Sequence, residues 1–226
     1  MSELTRESLA GIARQFYPAG FPAEEEDLSE PVPAYQRTPE HERFMAAWEK
    51  ALAWPEWKKL MKELPHAFPG MGVGSGTQPF VSACLRCFVY RVEPMPEGKR
   101  FATRIAAAVS VLAPVYVVHV TTQLWHPTYT PYGQQSGPLS SGAAPDDGSS
   151  RLYHFSQPQL AFEPPSVVKP EADTLARVIE ERLGYRRFPQ ALADESLPEL
   201  RVGFLNGEGP PTLLEALLSD NLVHLP

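Results

Sequence analysis

The chain has 226 residues, 43% of them hydrophobic, and a formal net charge of −7 at pH 7. That is enough for one large domain with its own core. The acidic balance argues against nucleic acid as a partner, because a negative surface repels phosphate backbones. Two cysteines build no disulfide framework and fit a reducing compartment. The first twenty residues mix both charge signs without an apolar signal-type run, so a cytoplasmic location is expected.

In chain order, residues 3 to 16 read as a short amphipathic helix with Leu4, Leu9, Ile12, Ala13 and Phe16 near helical spacing. Residues 18 to 39 hold five prolines and the acidic run Glu24, Glu25, Glu26 and Asp27, which predicts an extended arm. Thr38-Pro39 is a cap followed by a favoured first helical residue. The helix it starts carries Phe44, Trp48, Ala51 and Leu52 on one stripe and breaks at Trp54-Pro55. Trp57, Leu60, Met61 and Leu64 continue a second, shorter one. Trp48, Trp54 and Trp57 are read as packing these helices onto a sheet.

The glycines at 70, 72, 74 and 76 read as a flexible connection. Three antiparallel strands are expected after it, over roughly 80–92, 101–112 and 115–125. The run 105–125 contains no charged residue, which raises the question of a membrane span. Sheet is the better reading: Pro114 splits the run, and Val115 to Val120 is β-branched and aromatic. No membrane partner is expected. In the third strand Tyr116, Val118, Val120, Thr122 and Leu124 share one face, while His119, Thr121 and Gln123 share the other, expected to remain partly accessible. Residues 126–150 read as a long flexible loop, and 151–155 as a fourth strand. A helix is expected over 170–183, with an Asp173–Arg177 pair and Gly184 as its stop. Ser196 to Glu199 matches a capping box, and Thr212 to Leu218 a final helix.

No diagnostic catalytic motif stands out. Cys84 and Cys87 form a CxxC, but positions three apart on a strand face opposite ways, so no metal and no redox pair is expected. The glycine run fits no phosphate-binding pattern. Ser75 lacks the flanking glycines of a nucleophile elbow. His119, His126 and His154 would approach one another only if the strands pair suitably. Trp125, His126, Tyr129 and Tyr132, at the mouth of the long loop, are candidates for recognition, since aromatic side chains offer contact area at little entropy loss.

These readings give one α+β domain over 1–226: an antiparallel sheet of about four strands flanked by helices on one face. In overall character the chain resembles the immunity proteins of bacterial toxin systems, in size, acidic charge and mixed architecture. That resemblance implies a non-enzymatic cytoplasmic protein that binds and neutralises a cognate toxin, with no cofactor and no catalytic residue. The protein partner, a basic toxin domain, would meet Glu24, Glu25, Glu26 and Asp27 together with Trp125, His126, Tyr129 and Tyr132. The alternative is a small hydrolase or transferase using His126, His154 or Cys87 beside the 126–150 loop.

Overall fold

A computed structural model of the chain describes residues 4–20, 32–128, 152–203, 205 and 209–222. The acidic run Glu24 to Asp27, the tyrosines Tyr129 and Tyr132 and most of the long loop lie outside the described residues.

Helix α1 (Arg6–Ala13) is closed by a reciprocal box in which the Ser8 amide donates to Thr5 Oγ1 and the Thr5 amide to Ser8 Oγ. Thr38 caps α2 (Pro39–Ala53) by accepting from the His41 amide, and Pro39 takes the first turn as expected. Trp54-Pro55 separates α2 from α3 (Pro55–Ala67). Trp48 is wholly buried and its indole N–H donates to the Ser82 carbonyl at 2.8 Å. Trp57 is buried and Trp54 packs on Tyr185. The tryptophans therefore pin the helical layer.

Among the described residues the sheet has seven strands, not about four: β1 (Gly72–Ser75), β2 (Cys84–Pro94), β3 (Arg100–Ser110), β4 (Val115–Thr128), β5 (Leu152–Phe155), β6 (Gln159–Ala161) and β7 (Arg186–Arg187). The first five neighbour one another in sequence order, all antiparallel. β6 and β7 also join β4, β6 antiparallel and β7 parallel. The uncharged run 105–125 is thus the end of β3, a turn at Pro114 and most of β4. Among the described residues no helix is long and apolar enough to cross a membrane.

α4 (Lys169–Leu183) ends at Gly184, whose φ of 66° is the left-handed stop a glycine permits. α5 (Leu213–Leu217) carries a capping box between Thr212 and Glu215. Two local expectations fail. Asp173 pairs with Lys169 and lies 3.6 Å from Arg187, leaving Arg177 to Glu181. No helix starts at Ser196, because the Glu199 carboxylate that would close its box is taken by Arg14 of α1, and Ser196 bridges to Thr212.

β1 explains the alternating glycines. Gly72 stands opposite Tyr90 and Gly74 opposite Phe88, and a Cβ at either glycine would overlap the facing ring. The two aromatic rings, with centroids 5.9 Å apart, therefore lie across the glycine surface of an edge strand. What reads in sequence as a loose connection is a strand whose side chains are supplied by its neighbour.

The sheet buries both faces. Leu85, Cys87, Val89, Ile105, Ala107, Val109, Tyr116, Val118 and Val120 form the main core with the helices. On the reverse face Cys84 and Ala108 pack with Leu218 and Leu222, with Leu160 and Phe162 alongside. This corrects the expectation of an accessible second face: His119 and Thr121 are fully buried there, and Gln123 is half-buried. The cover comes from Leu218 to Leu222, which leaves α5 and crosses onto the sheet.

Gly74→Ala is expected to destabilise the fold by roughly 1–3 kcal/mol, the usual cost of overpacking, because the Phe88 ring it would displace is buried. Gly72→Ala should cost less, since half-buried Tyr90 has room to swing outward. Urea unfolding of the two variants checks the order.

Candidate functional site

A cleft of about 350 Å³ opens where the segment after α1, the turn Ala34–Arg37 with α2, the segment before β2 and residues 201–203 meet. Its walls are mostly aromatic. Arg201 lies over the Tyr35 ring at 5.7 Å, Tyr35 meets His41 edge-on, His41 stacks on Phe44, and Phe44 tilts against Tyr17. Tyr35 reaches this position because Gly203 offers no side chain: a Cβ there would overlap the ring. Its hydroxyl donates to the Gly203 carbonyl and accepts from Gln36 Nε2. Burial lowers the His41 pKa, so its imidazole is neutral at pH 7.

Phe80 and Val81 form the cleft's mouth and are 40% and 58% exposed. Phe80 has φ of 67°, a left-handed conformation that a bulky side chain adopts only at a cost. Its ring rests against Trp48, with centroids 5.8 Å apart. No sequence pattern marks this site. Its residues come from four separate stretches, and the signal in each is ordinary.

Of the residues the sequence singled out, Trp125 and His126 sit near the end of β4, where the β3 pairing stops at Arg100–Trp125 while β5 continues. The result is a two-stranded ribbon running past the sheet. Trp125 meets Phe155 edge-on at 5.4 Å, and Phe155 is 48% exposed. His126 is the register partner of His154. His119 does not join them, being seven residues earlier and on the opposite face. The ribbon and the cleft lie toward opposite ends of the sheet: cleft residues Phe80 and Val81 lead into Cys84, which pairs with Ser110 next to the Val109–Tyr116 rung, and Tyr116 and Trp125 are nine residues apart on β4, roughly 30 Å at strand rise. Glu24, Glu25, Glu26, Asp27, Tyr129 and Tyr132 lie outside the described residues. The acidic run falls in sequence between two cleft residues, Pro18 and Tyr35.

Cys84 and Cys87 are free, buried and on opposite faces of β2. Burial pushes the Cys87 thiol up to about 12, which leaves it protonated and a poor nucleophile. Burial raises the Cys84 thiol too, against the opposing pull of Arg86. Among the described residues no three His, Cys, Asp or Glu side chains stand together as metal ligands.

The reverse face holds a buried polar layer. Arg86 donates to the Asn221 carbonyl at 2.8 Å and to Ser219 Oγ at 2.6 Å. His119 Nε2 lies 3.0 Å from the Leu222 carbonyl, so this nitrogen carries the proton, and Nδ1 has no hydrogen-bond partner. Desolvation, helped by the charge of Arg86 and opposed by the Leu222 bond, drives the His119 pKa down to about 4.

Between pH 6.5 and 4 the unfolded chain takes up a proton at His119 that the folded chain refuses, so this contribution to stability is intact above pH 6.5 and lost as pH falls toward 4. At about 1.4 kcal/mol per unit, the loss is on the order of 3 kcal/mol. Unfolding measured across that range should show it, and His119→Gln should flatten the slope relative to the parent chain.

A scan against protein-family models found no match, and comparison with curated proteins and with solved structures likewise gave none.

Proposed function

We propose that this chain is a non-enzymatic binding protein whose aromatic cleft receives an apolar side chain of a protein partner, in the manner of an immunity protein holding its cognate toxin. The observation that carries the reading is Phe80. A bulky, partly exposed residue in a left-handed backbone is poorly explained by stability, since a glycine or asparagine would sit there with less strain. Strain of this kind concentrates where a surface is shaped for contact. Exposed Val81 enlarges the apolar rim, and Arg201 and neutral His41 supply polar groups within the cleft.

The net charge of −7 favours a basic partner and fast association. Glu24, Glu25, Glu26 and Asp27 would act mainly through long-range attraction, felt most at low salt. Trp125 and Phe155 on the ribbon, with His126, Tyr129 and Tyr132, form a second contact region if the partner is large enough to span the sheet. A cytoplasmic location belongs to the same proposal.

The test is to read the neighbouring reading frames for a toxin domain and to co-express any such domain with this chain, followed by calorimetry on the purified pair. Protection and direct binding are expected. Phe80→Asn should weaken binding at least tenfold, about 1.4 kcal/mol, while the melting temperature stays within a few degrees because relieved backbone strain offsets lost packing. Continued toxicity with no measurable binding would sink the proposal. Unchanged affinity in Phe80→Asn would move the interface away from the cleft.

A further inference from the structure

The outer edge of β4 is covered by three strands in succession, and they leave a notch. β7 pairs at Val115 and Tyr116, β6 at Val120 to Thr122, and β5 from Trp125 onward. Between β7 and β6, Val117 to His119 have no strand partner on that side among the described residues. Which groups face the notch follows from ladder alternation. The Tyr116 carbonyl accepts from the Phe188 amide and the Leu124 carbonyl from the Ser156 amide, both across this outer edge. Val118 has the same parity, and the β3–β4 register continues unbroken, so its N–H and C=O point the same way. Neither bonds to β6, to β7 or to the segments that follow them.

A cavity of about 190 Å³ opens at this point. Phe162, Phe188 and Leu214 give it apolar walls, and Arg187, Gln190 and Asp194 give it polar ones. Arg187 is partly engaged by Asp173 at 3.6 Å. A backbone donor and acceptor in a largely buried place call for a partner, and the pair offered here is one rung of a β-ladder. The complement is a group with one C=O and one N–H at the same spacing, which is an extended peptide. The volume lies below the roughly 300–1,000 Å³ of pockets for drug-sized ligands, which restricts the guest to about dipeptide size.

We propose that this notch is a binding site for a short extended peptide, one residue of which pairs through its own C=O and N–H with the N–H and C=O of Val118 while the peptide's ammonium group turns to Asp194. Such a guest completes the β4 edge between β7 and β6. The site is separate from the aromatic cleft and independent of the function proposed for it.

The experiment is a titration of ¹⁵N-labelled protein with alanylalanine and with N-acetylalanine methylamide, reading the backbone amide signals. Saturable movement of the Val118 signal is expected with both compounds at millimolar concentration. Asp194→Asn should weaken alanylalanine at least fivefold and leave the uncharged N-acetylalanine methylamide unchanged. Ala193→Leu, which fills the cavity, should abolish the response to both; if that variant fails to fold, the Asp194→Asn comparison decides. A Val118 signal that does not move with either compound, or moves equally whatever stands at 194, overturns the proposal and leaves a hydrated notch only.

Discussion

Strand β4 is the constraint on which the rest of the molecule depends. It is fourteen residues long, and β3 follows it on one side from Val109–Tyr116 to Arg100–Trp125. The other side would be a long exposed edge, a ready template for association with other chains. The protein covers that edge in pieces, bringing β5, β6 and β7 back to the same strand from three later parts of the chain. The notch at Val118 is the place where the covering is incomplete.

The two faces of the sheet are closed by different chemistry. Toward the helices the contacts are almost entirely apolar, with Trp48, Leu60, Leu64, Leu175 and Ile179 all fully buried. The reverse face buries Arg86, His119 and Thr121, and buried polar groups need partners to be tolerated. Ser219, Asn221 and Leu222 supply several of them, mostly through the backbone. The 218–222 cover is therefore attached by hydrogen bonds as well as by the packing of Leu218 and Leu222, and its hold weakens as His119 is driven toward its charged form.

Surface strain and the proposed binding surface lie together at the cleft. Gly203 admits the Tyr35 ring, Tyr35 carries the Arg201 stack, and Phe80 is kept in a costly backbone conformation beside a buried tryptophan. The ribbon bearing Trp125 and Phe155 stands at the far end of the sheet. A partner that used both would have to span the length of β4, which separates small-ligand readings from large-protein ones.

How much of this was legible follows the range of the interactions involved. The helices were, because caps and stripes are local: Thr38-Pro39, Gly184 and Thr212 act on residues within a turn or two. So were β2, β3 and β4, which are long, β-branched and self-consistent in alternation. β6 and β7 were not, since two or three residues become a strand only when β4 offers an edge. β1 was misread because its glycines signal a loop until the rings of Phe88 and Tyr90 are seen lying over them. Of the residues named for recognition, Trp125 and His126 fall near the end of β4, and the cleft went unseen because a backbone angle and a meeting of four distant segments leave no pattern. Alternation told which residues share a face with His119. Only the tertiary structure decided what covers that face, because the residues that bury it lie a hundred positions further along the chain.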